Sequence, residues 1–359
     1  MENNTPLKHL KVIDLSTVLA GPSVGSFFAE LGAEVIKVEH PVNKDVTRSW
    51  KLPQEDKNMD VSAYFASVNY NKSYRFLDLT SDKDLTQLYE IVRDADIVLM
   101  NFKKGDQEKL GIEDNKLRAI NNKLIIGKIT GFGDESDRVA YDLILQAESG
   151  FMSMNGTAES GPLKIPVALI DVLAAHHLKE GLLLALLERK TNAHFKGQSI
   201  SVSLYDAAVS SLINQASNYL MAGHIPERIG SLHPNIAPYG ELFTTKDGGL
   251  ITFAIGSNRH FELLCNWLRR NDLANDEKYS TVQSRVKNRT QLFKELQISV
   301  NQFEAEEVLS GMHTLKVPCA RINSLKDVFS NEQANKMVLQ ETIHGKVTKR
   351  VSSIAFRTY

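Results

Sequence analysis

A single acidic side chain separates an apolar run from a helical segment in KIPVALIDVLAAHHLKEGLLLALLERK, residues 164–190. That residue is Asp171. Val172, Ala175, Leu178, Leu182, Ala185 and Leu186 follow it at helical spacing, so its place predicts an N-cap, a role worth about 1 kcal/mol. A second chemistry is open to the same residue. A helix N-terminus favours the anion, and an ionised carboxylate can attack an activated acyl group. On the local pattern alone the cap outweighs the nucleophile.

The turn LAGPSVG (19–25) leaves an apolar run, and Glu39 lies about 20 positions beyond it, the spacing of a dinucleotide site. Gly21 and Gly25 do not make G-x-G-x-x-G, which favours a structural turn over an NAD site. Such a turn still places a helix N-terminus where phosphate binds in α/β sheets. Further basic loops fall at strand ends: Lys103, Lys104 and Lys109 in NFKKGDQEKLG, and Lys72 and Arg75 in NYNKSYR. Each alone reads as a solvated loop, whereas several at one sheet edge read as an anion-binding rim. His176 and His177 are adjacent and diverge by about 100° on a helix, so they cannot share a metal. No His-Glu-x-x-His and no cysteine motif occurs, so no metal is expected.

The elements that must position these residues alternate. LKVIDLS (10–16), AEVIKVE (33–39), YRFLDLT (74–80), DIVLMNF (96–102) and NKLIIGKITGFG (122–133) read as strands. Between them, PSVGSFFAELG, DKDLTQLYEIVRDA and residues 113–121 read as helices, the first opening at Pro22 and closing at Gly32. The series predicts an α/β fold: a doubly wound, Rossmann-like parallel sheet in a large domain over 1–210. A smaller α+β domain is expected over 225–320, with a helical stretch at 284–303. The segment 325–359 is expected to return to the large domain, its KVTKRVSSIAFR a strand or tail. The 359 residues carry a net charge of −1 and no basic block, which excludes a nucleic-acid partner. MENNTPLKHLKV lacks the apolar stretch of a signal peptide, and GLLLALL falls short of the about 20 residues a membrane span needs. A soluble, cytoplasmic protein with no membrane partner is expected.

Taken in order, VLAGPSVGSFFAELGAEVIKVEHP, NYNKSYRFLDL, DIVLMNFKKGDQEKLGI, YDLILQAESGFMSMNG, IDVLAAHHLKEGLLLALLER, KGQSISVSLYDA, HPNIAPYGELFTTKDG and VPCARINSLKDV resemble the class III CoA-transferases, the CaiB/BaiF family. The resemblance implies that Asp171 is the nucleophile. Its carboxylate would form a mixed anhydride with the donor acyl group and then an aspartyl-CoA thioester, without ATP or any tightly bound cofactor. Coenzyme A and acyl-CoA would be substrates. By position, Val18 and Leu19 would line the pantetheine end. His40, Asn71, Lys72, Asn101, Phe102, Lys103, Lys109 and Gly131 would surround the nucleotide, and Tyr141 would face the substrate pocket. The resemblance also implies an interlocked homodimer.

The chain departs from the family at several points. His40 replaces a common arginine, and NKSY replaces NKRS, with Arg75 a possible substitute for the arginine lost at Ser73. Leu19 stands where formyl-CoA transferases carry Gln, and FAIGSNRHF is glycine-poor, so oxalate and formate are not the expected substrates. The alternative activity within this fold is a 2-methylacyl-CoA racemase, which uses a His-Asp dipeptide. Here the dipeptide is Tyr141-Asp142, and a phenol with its usual pKa near ~10 is a poor replacement for a histidine base. A CoA-binding chain without turnover is the alternative from another class.

Overall fold

The computed structural model describes residues 5–357, so the first residues of the polar N-terminal segment lie outside it. The β-branched runs form strands Lys11–Asp14 (β1), Glu34–Glu39 (β2), Ser73–Phe76 (β3), Ile97–Met100 (β4), Ile125–Thr130 (β5) and Ser199–Ser203 (β6). All pair in parallel, in the order β3-β2-β1-β4-β5-β6. Strand order reverses between β1 and β4, the crevice where doubly wound sheets bind ligands.

The alternation of side chains along each strand builds two cores. Val12, Ile97, Leu99, Ile125 and Ile129 meet one apolar cluster, while Ile13, Ile36, Val98, Met100 and Ile126 meet another. The helices of this unit are Ala20–Glu30 (α1), Ala63–Ser67 (α2), Asp82–Arg93 (α3), Asp106–Leu110 (α4), Asp114–Ile120 (α5), Asp142–Glu148 (α6), Leu169–Thr191 (α7), Leu204–Ser210 (α8) and Ile213–Ala222 (α9). Val24, Phe27 and Phe28 of α1 and Ala174, Leu178 and Leu182 of α7 cover the first face; Leu88 and Val92 of α3 and Leu117 of α5 cover the second.

Helix α1 begins at Ala20, two residues before Pro22, whose missing N–H is one of the first-turn donors that find no partner within a helix. The glycines of its first two turns serve packing. A Cβ at Gly21 would lie 2.4 Å from Ser16 Cβ, and one at Gly25 would lie 2.9 Å from Asp14 Oδ2. That close approach explains a glycine turn without a dinucleotide fingerprint.

The chain divides into two units, the first comprising 1–153, 164–226 and 336–359, the second 154–163 and 227–335. In the first, KVTKRV is no tail: Lys346–Val351 (β11) pairs antiparallel with Val338–Ile343 (β10). In the second, Tyr239–Thr244 (β7), Leu250–Ala254 (β8) and Cys319–Arg321 (β9) form a three-stranded antiparallel sheet in the order β9-β8-β7. Phe243, Ile251 and Phe253 of this sheet pack with Leu264, Leu292, Leu296, Val308 and Met312 from its helices. The stretch expected as one helix at 284–303 is two, Val282–Lys287 and Arg289–Val300. Asn288 parts them, donating its side-chain amide to the carbonyls of Lys278 and Ser284.

Beneath the carboxyl ends of β1 and β2 lies a chain of buried charge. Asp14, Lys37, Glu39, Asp45, Arg48 and Lys72 are all at most 7% exposed. The Lys72 ammonium reaches Asp14 Oδ2 at 2.8 Å, the carbonyls of Pro22 and Val68 at 2.8 and 2.9 Å, and Asn69 Oδ1 at 3.0 Å. Burial alone would raise the Asp14 pKa, but Lys72, Lys37 and bonds from Lys72 and Ser16 outweigh it and hold the carboxyl below its usual value. Glu39 is gripped by Arg48 through two bonds, Nε at 2.9 Å and Nη2 at 2.6 Å, and is thereby unavailable to a nucleotide ribose. Lys72→Met is expected to cost about 3–5 kcal/mol, because it leaves Asp14 buried and unpaired. Urea denaturation would measure this, and a loss below about 1 kcal/mol would contradict the account.

Candidate active site

Loops leaving the carboxyl ends of β1, β4 and β5, with Leu204 at the start of α8 directly after β6, line a cavity of about 430 Å³. Its walls include Val18 and Leu19 after β1, Asn101, Phe102 and Lys103 after β4, Gly131 and Tyr141 after β5, and Asp171 in α7. The cavity sits at the reversal of strand order, where the sheet edge leaves room for a ligand.

Five of the expected contacts lie elsewhere. The Nδ1 of His40 accepts the N–H groups of Val42 and Asn43 at 3.0 and 2.9 Å, closing the turn after β2. Asn71 takes a left-handed φ of 53° and donates its N–H to Glu341 of β10 at 2.9 Å. Lys72 is wholly occupied beneath α1. Arg75 stands exposed on β3, and Lys109 is a surface residue 3.3 Å from Asp106. His40, Asn71, Lys72 and Arg75 belong to the β2–β3 side of the sheet, across β1 from the cavity, whereas Lys109 sits on α4 beside the cavity-lining Gln107 and Glu108 without joining the wall.

The cap expected at Asp171 is absent. Helix α7 is capped at Ala168, and Asp171 is the third helical residue, 8% exposed. The first turn is served from outside, since Ile170 donates its N–H to Asp142 Oδ1 at 2.7 Å. Gln146, one turn further along α6, donates to Asp142 Oδ2 at 2.6 Å and accepts the Ile165 N–H at 2.7 Å. Helix α6 thus fastens the loop that feeds α7 and satisfies an amide of its first turn. Among the described residues, the Asp171 carboxylate accepts no hydrogen bond. Burial, and then the negative charge of Asp142, push its pKa up to about 7. Both act against the ionised form that a helix N-terminus would favour.

Sequence reasoning met Asp142 only as half of the Tyr141-Asp142 dipeptide and passed over Gln146, although their i, i+4 spacing at a helix start is a readable signal. It also passed over Tyr64, whose phenol pKa is pushed up to about 12 by burial and then by Asp171 and Asp142. Lys128 and Arg138 join the cavity wall as well, Lys128 paired with Asp114 at 3.1 Å and Arg138 with Glu148 at 2.6 Å. Among the described residues, no group of three His, Cys, Asp or Glu side chains could hold a metal, and no helix is long and apolar enough to cross a membrane.

The model of CoA-transferase family III matches residues 7–358. The chain belongs to that family. The transferase is 36% identical over 335 residues to a succinate–glutarate CoA-transferase of Agrobacterium fabrum, covering 91% of this chain and 82% of the relative. It is 32% identical over 332 residues to a succinyl-CoA:mesaconate CoA-transferase of Haloarcula hispanica, covering 90% and 82%. A crystal structure of a CaiB/BaiF family protein from Brucella suis superposes with a TM-score of 0.87 at 35% identity, covering 98% of this transferase and 93% of that chain. The fold and the enzyme class expected from the resemblance are therefore those of this chain.

A carboxylate nucleophile acts only as its anion, so a pKa near 7 places its titration inside the working range. The kcat/KM for transfer is expected to fall as pH drops below 7. Asp142→Asn removes one cause of the raised value, so its rising limb is expected at lower pH than that of the unaltered enzyme. A pH–rate profile of both proteins measures this, and identical limbs would separate Asp142 from the charge state of Asp171.

Proposed function

We propose that this transferase moves coenzyme A between carboxylic acids through covalent intermediates on Asp171. The observation that carries the reading is the desolvated Asp171 carboxyl, facing the switch-point cavity with no hydrogen bond to it among the described residues. Once ionised, a carboxylate without donors is poorly solvated and is the better nucleophile for it. Its oxygen adds to the thioester carbonyl of the donor and expels CoA thiolate, leaving an aspartyl anhydride. The thiolate then attacks the aspartyl carbonyl, releases the donor acid and forms the aspartyl-CoA thioester. An acceptor carboxylate attacks that thioester, and the returning thiolate completes the exchange. Activation is conserved throughout, so no ATP and no tightly bound cofactor are needed.

A racemase would need an acid and a base across the α-carbon. Asp142, the candidate partner, spends both oxygens on Ile170 and Gln146. That engagement favours transfer.

The substrates are proposed to be dicarboxylates, with succinyl-CoA as donor and a dicarboxylate of similar length as acceptor. The names of both relatives above support this. So does Lys103 in the cavity wall, which meets no acid among the described residues and offers charge to a second carboxylate or a CoA phosphate. Its neighbours Lys104, Lys128 and Arg138 are paired with Glu135, Asp114 and Glu148. Asp171→Ala is expected to lower exchange at least about 10³-fold while leaving the fold intact. Mass spectrometry of a donor–acceptor matrix, with hydroxylamine trapping of the acylated Asp171 peptide, measures both claims. Retained activity in Asp171→Ala would sink the mechanism, and a preference for monocarboxylates would sink the substrate class.

A second copy of the chain is the proposed partner, and the cytoplasm the proposed location. Helix α9 buries none of its residues within the chain, and Tyr219, Leu220 and Met221 are 55, 79 and 88% exposed. Leu184 and Leu187 of α7 are likewise 67 and 57% exposed. Apolar surface on this scale marks an interface. Light scattering is expected to give twice the chain mass, and Leu220→Asp with Met221→Asp is expected to weaken that association.

A further inference from the structure

Three consecutive residues after β1 have their backbone anchored by side chains from distant parts of the chain. The Ser16 carbonyl accepts from Lys37 Nζ at 2.7 Å, and its N–H donates to Asp14 Oδ1 at 3.0 Å. Thr17 is clamped at both ends by the carboxamide of Asn101, its N–H donating at 3.0 Å and its carbonyl accepting at 2.9 Å. The Val18 N–H donates to the Asp45 carboxylate, 3.2 and 3.4 Å from its two oxygens. The Asp45 carboxylate is itself set, 3.4 Å from Lys37 Nζ and accepting the Thr47 N–H and hydroxyl.

What these clamps hold is strained. Val18 sits at φ 73°, a left-handed conformation that β-branched residues avoid. Such a backbone persists only where its surroundings over-determine it, and it clusters at functional sites. Here the strained residue and its neighbours Thr17, Leu19 and Ala20 line the same cavity as Asp171. A network serving stability alone would have no reason to hold a valine in that region at the cavity wall.

We propose that Asp45 and Asn101 are positioning residues for the transfer. They hold the Thr17–Val18 backbone in its strained form, and so fix the wall against which the acyl thioester is presented to the nucleophile. The inference rests on the reading of Asp171 as that nucleophile. It gives Asn101 a task through Thr17, beside the CoA contact expected of it.

A double-mutant cycle tests this in the full-length enzyme. Glycine takes a left-handed φ without strain, so Val18→Gly makes the turn less dependent on its clamps. Asp45→Asn is expected to lower kcat about tenfold or more, with the acyl-CoA KM changed less than about threefold. In the Val18→Gly background the same substitution is expected to lower kcat less than about threefold. Equal losses in both backgrounds, or an unchanged kcat in Asp45→Asn, would overturn the proposal. Circular dichroism checks the fold, and if Asp45→Asn does not fold, Asn101→Ala carries the same cycle on kcat alone, since Asn101 itself lines the cavity and its loss is expected to move KM as well. Asp171→Ala assayed in parallel keeps the two readings apart: full activity there dismisses the nucleophile, whereas the Val18 coupling is read from kcat alone.

Discussion

Three acids and three bases lie out of water where β1 and β2 end: Asp14, Glu39 and Asp45 with Lys37, Arg48 and Lys72. Buried charge is costly unless every member is paired, and here each acid meets a cation or a row of donors. The arrangement only works if α1 lies close enough for Lys72 to reach Asp14 beneath it, which the bare Cα of Gly25 permits. It also ties β2, the turn at 45–49 and the loop after β1 into one body. The cavity wall at Val18 depends on that body.

Asp171 is the counterpart of this cluster. Both sites are acidic and buried, yet the cluster carboxylates are paired and Asp14 is held below its usual pKa, whereas Asp171 is unpaired and raised. A buried acid that the fold leaves without a partner costs stability, and such a cost is kept at sites that do chemistry. Asp142 sharpens the contrast. By satisfying the Ile170 N–H it fixes the first turn of α7 from outside, and its own charge makes ionisation of Asp171 harder.

The second unit is built differently. Its antiparallel sheet covers one face with helices, and Arg285 lies wholly buried without a carboxylate, donating to the carbonyls of Ala237 and Tyr279 and to Asn258 while stacking over Phe261 at 4.6 Å. A guanidinium spread over neutral acceptors and an aromatic face pins the segment around Ala237, where a wholly apolar side chain would leave those carbonyls unpaired.

The strands β1 to β5 and the helices α1, α3 and α5 were legible in the sequence, because burial against a parallel sheet writes itself as short apolar runs and three-to-four spacing, whereas α2 and α4, five residues each, are too short to show a period. The place of the cavity was legible too, since loops at the carboxyl ends of such strands converge at the strand-order reversal. Asp171 was marked by type and position, and the ordered motifs named the family. The tertiary structure alone decided which charges are paired. Lys72 looked like a phosphate ligand and is a buried counter-ion of Asp14; Glu39 looked like a ribose acceptor and is held by Arg48. Asp171 looked like a cap and is the third residue of α7, an acid whose pKa burial and Asp142 push up to about 7. Local pattern follows from which face is buried, and a sequence records that residue by residue. Whether a charge is solvated, paired or strained depends on groups brought close from far along the chain, and only the folded arrangement sets those distances.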